Sequence, residues 1–216
     1  MQRWTIALSL SILGVSGALA IPETVVFMPT ANLCSPRSVY LATEQFGVPN
    51  AYSQTRTRCF YTQLMLTNRF DFGVDFVGFD NSQSRQTLGN ARFVLNPPSG
   101  RSPGVAVGAL NIAEDANPIY YVVGTQSASF GVFHMGIYRQ RNQTGWSSAF
   151  QTSLPFGVDV ALEYFKYPDG TAYTSLGAGR QVNDAVYLYT YYSRHHQTRD
   201  GDLFGVYLSF TPFRLF

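Results

Sequence analysis

The residues with the clearest catalytic potential are two histidines that follow a serine, in the run Ser193-Arg194-His195-His196. A catalytic base must reach its nucleophile while a third group orients the base, and adjacency along the chain does not provide this arrangement. Asp200 and Asp202 follow closely, but two histidines beside two acids lack the defined ligand geometry of a metal site. We predict no catalytic residue and no metal site.

Cofactor loops and nucleic-acid-binding patterns are not found either. Gly177-Ala178-Gly179 is not followed by a helix, which a phosphate-binding loop requires, and small residues inside a strand more often relieve crowding. The formal charge of +2 is far from the basic excess typical of nucleic-acid-binding proteins. We expect no cofactor and no nucleic-acid partner.

Charged residues inside the predicted strands fall opposite rows of apolar residues. In the stretch 70–76, phenylalanine and valine alternate with Asp71, Gly73 and Asp75. A charge facing lipid at mid-membrane costs about 2–4 kcal/mol, so in a membrane barrel these side chains should point inward. The predicted interior residues are Glu44, Asp71, Asp75, Arg92, His134, Asp159 and Glu163.

Two interpretations of this interior row stay open: a structural polar network, or the lining of a pore or binding site. Arg92 lies on the strand next to Asp71 and Asp75, which predicts a charge-balanced pair. Acids outnumber bases, whereas an anion channel needs unpaired Arg or Lys. Glu44, Asp75 and Glu163 therefore favour cations.

Stretches of about ten alternating residues, separated by turn residues, repeat from residue 37 onwards, and this is the length of a transmembrane β-strand. We predict an all-β fold, an antiparallel transmembrane β-barrel of about twelve strands with short periplasmic turns and longer outer loops. The predicted strands are 37–46, 58–67, 70–80, 89–96, 104–112, 119–126, 130–139, 146–153, 157–166, 171–180, 184–193 and 202–210.

The N-terminus has the pattern of a secretory signal peptide over residues 1–20: Arg3, an apolar run, then Ala18-Leu19-Ala20. The apolar run is short for the alternative, a membrane-anchor helix. Residues 21–36 are predicted to be a periplasmic lead-in that lies across the barrel mouth or pairs loosely, and residues 37–216 the barrel. An oxidising compartment makes a disulfide between Cys34 and Cys59 plausible. The two residues fall at opposite ends of the first strand pair, which argues against it, and the pairing stays open.

The last strand resembles the C-terminal assembly signal of bacterial outer-membrane barrels. Its residues are Gly205, Leu208 and Phe210, followed by a tail from Thr211 that also ends in an aromatic residue, Phe216. Only 13% of residues are charged, against about a quarter in soluble domains, and the chain has 17 Phe and 14 Tyr. Lipid around the outer wall accounts for this composition.

The expected partners are outer-membrane lipid, lipopolysaccharide and the barrel-assembly machinery. Loop arginines are expected to be either solvated or in contact with lipopolysaccharide phosphates; they are Arg56, Arg58, Arg85, Arg141, Arg194 and Arg199. Some of the tyrosines near strand ends or on long strands are expected to form aromatic girdles at the membrane interfaces, with a sugar-stacking surface as the alternative; these tyrosines are Tyr120, Tyr121, Tyr164, Tyr167, Tyr187, Tyr189, Tyr191 and Tyr192.

Several loose motifs resemble the YjbH-like family of bacterial outer-membrane barrels. They are Pro29-Thr30-Ala31, Gly104-Val105-Ala106-Val107-Gly108, Tyr120-Tyr121-Val122-Val123, His134-Met135-Gly136-Ile137-Tyr138, Leu154-Pro155-Phe156-Gly157 and Val160-Ala161-Leu162-Glu163-Tyr164. The resemblance implies a role in exopolysaccharide production or export, with polysaccharide-export proteins as partners. We predict a non-enzymatic narrow pore or export accessory. The alternatives are an outer-membrane enzyme acting on lipid or peptide, and a secreted soluble β-barrel or sandwich that binds a ligand.

Overall fold

The computed structural model describes residues 25–78, 85–100, 102–112 and 117–214. Within them, twelve strands form one closed antiparallel barrel in which sequence neighbours pair. This confirms the predicted all-β barrel. The strands are β1 (Ser38–Gly47), β2 (Thr57–Met65), β3 (Phe70–Val77), β4 (Gln86–Asn96), β5 (Gly104–Ile112), β6 (Ile119–Ala128), β7 (Gly131–Gln140), β8 (Gln143–Leu154), β9 (Val158–Lys166), β10 (Ala172–Asn183), β11 (Val186–His195) and β12 (Leu203–Arg214).

Short helices occupy some of the connections. They are α1 (Tyr52–Thr55) and three 3₁₀ turns at Pro49–Ala51, Pro155–Gly157 and Arg199–Gly201. Among the described residues, no helix has the length and apolar character needed to cross a membrane. The predicted signal peptide over residues 1–20 and Phe216 lie outside the described residues.

The first and last strands close the barrel. β1 pairs with β12, with Leu41 opposite Phe210 and Glu44 opposite Tyr207, and the register shifts between Val39 and Leu41. Closure leaves none of the twelve described strands with a free edge for another chain to pair with. The barrel has two ends that differ in their connections. We call the end that holds the loops following β1, β3, β5, β9 and β11 the long-loop end, and the end where β1 begins the short-turn end.

At three places the predicted boundaries are wrong because strand pairing continues through residues with turn-like composition. The predicted loop 140–145 is a two-residue turn, since Gln140 pairs with Gln143. The predicted turn 181–183 belongs to β10, whose Asn183 pairs with Val186. The predicted tail after residue 210 continues β12 to Arg214. Each polar residue that joins a ladder satisfies its backbone hydrogen bonds there and gains from extending the strand.

The two faces of the wall differ in polarity as the alternation predicts. On β7, Met135 and Ile137 are 68% and 63% exposed on the outer wall, whereas His134, which precedes Met135, is 1% exposed. On β3, Phe72 is 39% exposed and Asp71 is 1% exposed. Apolar side chains therefore cover the outside of the barrel and polar side chains turn inward.

Several tyrosines predicted for the interfacial girdles lie inside the barrel instead. Tyr187, Tyr189 and Tyr191 are 4–7% exposed, while Tyr120 is 61% exposed on the outer wall. Their rings fit because glycines on the paired strand leave space: a Cβ at Gly205 would lie 2.3 Å from the Tyr191 ring. These inner tyrosines therefore do not belong to a girdle, and Gly205 of the predicted assembly signal has a packing role.

We predict that Gly205→Ala destabilises the barrel by about 1–3 kcal/mol, because the added methyl group displaces a well-packed ring. That ring is held in place, since the Tyr191 hydroxyl donates a 2.6 Å hydrogen bond to Glu44. The measurement is the free energy of unfolding in urea for the barrel refolded in detergent. Gly124→Ala is the control, because its Cβ would meet nothing nearer than 3.8 Å. Equal losses in the two variants would contradict this packing role.

Candidate functional site

The N-terminal lead-in lies inside the barrel rather than across its mouth, which corrects the prediction. We call residues 25–34 the luminal segment. Val25, Met28 and Ala31 are at most 2% exposed and pack in one core cluster with the inner wall. That part of the wall carries the small side chains of Ala149 and Ala161, which leave a space that apolar residues of the segment fill.

The Glu163 carboxylate anchors residues 26–28 of the luminal segment. It accepts hydrogen bonds from three successive backbone N–H groups, of Val26 (2.9 Å), Phe27 (3.0 Å) and Met28 (3.2 Å). Consecutive N–H groups that converge in this way form an anion-binding concavity. Glu163 is 0% exposed, so these backbone donors replace both water and a cationic partner around its charge.

A second row of hydrogen bonds anchors the middle of the segment. The Ala31 N–H donates to Thr125 Oγ1 (2.9 Å), which lies 3.0 Å from Nδ1 of His134. Nε2 of His134 lies 3.0 Å from Oε1 of Gln151. A hydroxyl, an imidazole and an amide also occur in hydrolytic sites. Here all three side chains are at most 6% exposed and Thr125 accepts the Ala31 N–H, so the row holds the segment in place.

An ion pair anchors the lower end of the segment. Nε and Nη2 of Arg92 donate to Oδ2 of Asp71 at 2.9 and 2.7 Å. Nη1 of Arg92 donates to the carbonyl oxygens of Thr30 (2.8 Å) and Asn32 (3.0 Å), and Nη2 lies 2.5 Å from Sγ of Cys34. The Arg92 and Asp71 side chains are 3% and 1% exposed. The pair therefore joins the segment to β3 and β4 near the short-turn end.

Cys34 and Cys59 are not joined by a disulfide. The Cys34 N–H donates to the carbonyl of Asn68 in the turn between β2 and β3, at the short-turn end. Cys59 lies at the other end of β2, opposite Glu44. The length of the strand separates the two thiols, as the sequence analysis anticipated.

A cavity of about 520 Å³ occupies the other side of the lumen. It extends from the long-loop end, at Tyr167 and Leu203, to the Arg92–Asp71 ion pair, and Phe27 of the luminal segment forms part of its wall. Burial raises the pKa of the Tyr167 hydroxyl, which therefore stays neutral at the cavity mouth. The charged residues that line the cavity are Glu44, Asp71, Asp75, Arg92 and Asp169.

Three of these carboxylates, those of Glu44, Asp75 and Asp169, have no cationic partner among the described residues. Arg92 does not serve as their partner, because it is paired with Asp71. Glu44 accepts hydrogen bonds from the hydroxyls of Tyr191 (2.6 Å) and Tyr61. Asp75 accepts one from the Asn90 amide. Neutral donors therefore orient these carboxylates without cancelling their charge.

The seven predicted interior residues thus divide into three groups. Glu44, Asp71, Asp75 and Arg92 line the cavity. Glu163 and His134 hold the luminal segment. Asp159 is separate, near the short-turn end, where it accepts hydrogen bonds from Tyr187 (2.9 Å) and Ser153 (2.5 Å).

Sequence reasoning missed the uncharged members of the site, because it selected inward-facing positions by charge. These members are Thr30, Thr125, Gln151, Tyr61, Tyr189 and Tyr191. The alternation pattern places most of them on the inner face, and that signal alone would have found Thr125 and Gln151. In the predicted assembly signal, Leu208 and Phe210 are 36% and 38% exposed on the outer wall.

The serine and histidines near the end of β11 are separated. Ser193 is buried, with its Oγ 2.7 Å from Oγ of Ser175. His196 is exposed, with Nε2 2.9 Å from Oγ1 of Thr174, and Nδ1 of His195 accepts the Thr198 N–H at 3.0 Å. Neither imidazole contacts the serine.

We predict that Arg92→Met destabilises the barrel by about 3–5 kcal/mol, because it leaves the buried Asp71 charge unpaired. The double variant Arg92→Met/Asp71→Leu should lose less, since both charges are then replaced by apolar groups. Urea unfolding of both variants measures this difference. A double variant that is as unstable as the single variant would contradict the buried ion pair.

Comparison with known proteins shows the fold and no family. No protein-family model and no curated protein matches the chain. Among solved structures, KdgM porin in complex with disordered oligogalacturonate matches with a TM-score of 0.58 and 13% identity, over 81% of this chain and 98% of that chain. A second KdgM porin structure gives 0.57 and 12%, over 81% and 98%.

The outer membrane phospholipase A from Escherichia coli matches with a TM-score of 0.49 and 11% identity, over 83% of this chain and 91% of that chain. Identities this low carry no information on activity. The likeness to the two porin structures, together with the closed antiparallel sheet, establishes that this chain has the fold of outer-membrane β-barrels.

Proposed function

We propose that the protein is a non-enzymatic outer-membrane channel of the porin type that prefers cations. The observation that carries this proposal is the cavity of about 520 Å³ at the long-loop end, lined by carboxylates without cationic partners among the described residues. The fold likeness to KdgM porin supports the same class of protein.

The outer wall favours a lipid environment over the alternative of a secreted soluble barrel. Large apolar side chains such as Val122, Leu162 and Leu176 are 51–58% exposed there. Soluble proteins rarely leave contiguous apolar patches above a few hundred Å². In a bilayer the same wall needs no covering.

The charge of the cavity favours cations over anions. Glu44, Asp75 and Asp169 all line it, and rings of carboxylates select cations in channels. KdgM porin, by contrast, is in complex with oligogalacturonate, which is a polyanion. The same ligand would meet like charges in this cavity, so we expect a different solute.

The luminal segment narrows the passage, because it fills the side of the lumen opposite the cavity. Glu163, Thr125 and Arg92 bind it at three positions along its length. We therefore expect a small conductance in the state described, and a larger one when the segment leaves the lumen.

The finer sequence-based predictions stay predictions. They are the signal peptide, contact with lipopolysaccharide, recognition by the barrel-assembly machinery and an accessory role in exopolysaccharide export. The YjbH-like resemblance, which implies the export role, has no support from the comparisons. No observation favours the alternative of an enzyme acting on lipid or peptide.

We predict that the refolded protein conducts in a planar bilayer with a reversal potential favouring K⁺ over Cl⁻. Glu44→Gln/Asp75→Asn should reduce the permeability ratio roughly thirtyfold, because each of the two charges contributes about 1 kcal/mol in a hydrated lumen, which is about fivefold per charge. Asp159→Asn, which lies outside the cavity, is the matched control. Anion preference in the unmodified protein, or an unchanged ratio in the double variant, would contradict the proposal.

We also predict that Glu163→Ala loosens the luminal segment and raises single-channel conductance. Hydrogen bonds to a charged acceptor contribute about 1.5–3 kcal/mol, so amide hydrogen exchange at Val26, Phe27 and Met28 should accelerate at least about tenfold. Glu163→Gln keeps one acceptor oxygen and should give an intermediate rate. Unchanged exchange and conductance in Glu163→Ala would show that this carboxylate does not hold the segment.

A further inference from the structure

We propose that the outer wall carries a binding site for a phosphorylated glycolipid, formed by Lys166, Arg194 and His196 at the long-loop end. The long loops of bacterial barrels lie outside the cell, so this end meets the outer leaflet and its lipopolysaccharide. The sequence-based expectation selected arginines of the loops, whereas this site lies on the wall and includes a lysine and a histidine. Because the site is outside the lumen, it does not depend on whether the barrel conducts.

The strand register brings the three side chains to one patch of the wall. Arg194 on β11 lies opposite Thr174 on β10, and Lys166 on β9 lies opposite Ala172 on β10. The His196 N–H donates to the Ala172 carbonyl at 2.9 Å, which places His196 in the same cross-strand row as Lys166. Neighbouring strands are about 4.8 Å apart, so the backbones of Lys166 and His196 lie about 10 Å apart, on either side of Ala172.

These side chains point away from the lumen. Ser193 and Phe165, which precede Arg194 and Lys166 on their strands, are buried inside the barrel. Successive side chains of a strand point to opposite faces, so Arg194 and Lys166 point outward. Arg194 and His196 are exposed and Lys166 is half-buried. The patch is therefore open to a lipid headgroup from outside the barrel.

The cations of the patch are available to an anion. Among the described residues, neither Arg194 nor Lys166 makes an ion pair. Asp202 lies near Arg194, but its carboxylate already accepts hydrogen bonds from the Tyr192 hydroxyl (2.5 Å) and the His195 N–H (2.8 Å). Guanidinium and ammonium groups carry donors and no acceptor, and they form charge-assisted hydrogen bonds with phosphate.

His196 adds a further donor to the patch. Its Nε2 lies 2.9 Å from Oγ1 of Thr174, and its ring lies edge-on to Tyr164, with centroids 5.5 Å apart. When the Thr174 hydroxyl donates to Nε2, the proton of the neutral imidazole is on Nδ1, where a phosphate oxygen can accept it. Two contacts hold the ring, so little side-chain freedom is lost when this hydrogen bond forms.

The wall beside the cations suits acyl chains. A groove of about 460 Å³ on this wall is lined by Thr174, Leu176, Tyr192, Arg194 and His196. Leu176 lies opposite Leu162, and both are exposed. On the other side of the patch, the rings of Trp146 and Tyr164 are 4.6 Å apart, as in the aromatic belts at membrane interfaces. Cations next to an apolar groove fit an amphipathic lipid better than free phosphate.

The spacing of the cations favours a glycolipid over a glycerophospholipid. Lys166 and His196 flank Ala172 about 10 Å apart, and Arg194 lies one row further along the wall. A headgroup with phosphates at two separate positions can contact both sides of this row at once. A glycerophospholipid headgroup with a single phosphate can contact only one side.

The test is native mass spectrometry of the refolded full-length barrel in detergent with diphosphorylated lipid A. Dephosphorylated lipid A and phosphatidylglycerol are the controls. We expect one lipid A to bind at least about tenfold tighter than either control, because its phosphates form charge-assisted hydrogen bonds on both sides of the row. Lipid A that binds no better than its dephosphorylated form would overturn the proposal. Phosphatidylglycerol that binds as tightly as lipid A would overturn the choice of a glycolipid.

Variants locate the lipid. Arg194→Gln and Lys166→Gln should each weaken lipid A binding about three- to tenfold, and the double variant at least about tenfold, because each removes a charged donor. Arg180→Gln is the matched control: Arg180 is exposed on the outer wall of β10 near the short-turn end, opposite Leu188 and Val158. Folding is checked on a heat-modifiability gel. Normal binding by the folded double variant, or an equal loss in Arg180→Gln, would place the lipid elsewhere and overturn the proposal.

Discussion

The contact on which the rest of the lumen depends is the one between the Glu163 carboxylate and three backbone N–H groups of the luminal segment. A buried carboxylate is very unfavourable without partners, and unpaired backbone donors are unfavourable as well. Each group satisfies the other. This contact places Val25 and Met28 against the alanine-lined wall and leaves the opposite side of the lumen open as the cavity.

The division of the lumen follows from side-chain volume as much as from charge. Glycines on β10 and β12 accommodate the inner tyrosines, as Gly177 accommodates Tyr189 and Gly205 accommodates Tyr191. These rings narrow the open side without filling it. The Arg92–Asp71 pair lines the cavity toward the short-turn end and joins the wall to the luminal segment, because Arg92 also binds the carbonyls of Thr30 and Asn32. One side of the lumen is therefore a packed core, and the other side is the acidic cavity.

The strands and their two faces could be predicted from the sequence because alternation with a period of two is a local property. On β3, Asp71 points inward and the next residue, Phe72, points outward. On β7, the same holds for His134 and Met135. The content of the lumen could not be predicted in this way. Alternation predicts that Glu163 points inward. It does not predict that Phe27, more than a hundred residues earlier in the chain, binds the Glu163 carboxylate. The inner tyrosines were misplaced for the same reason, since their space comes from glycines on a paired strand.

The most direct test of this account is disulfide trapping of the luminal segment in the refolded barrel. Ala31→Cys and Thr125→Cys would be combined with Cys34→Ser and Cys59→Ser, because the Ala31 nitrogen lies 2.9 Å from Oγ1 of Thr125. Mild oxidation should give an intramolecular disulfide in most molecules. The pair Ala31→Cys with Leu176→Cys, whose second position is 58% exposed on the outer wall, should give none. A barrel that folds but never forms the Ala31–Thr125 disulfide would contradict a segment inside the lumen, and with it the division of the lumen into a packed core and an acidic cavity.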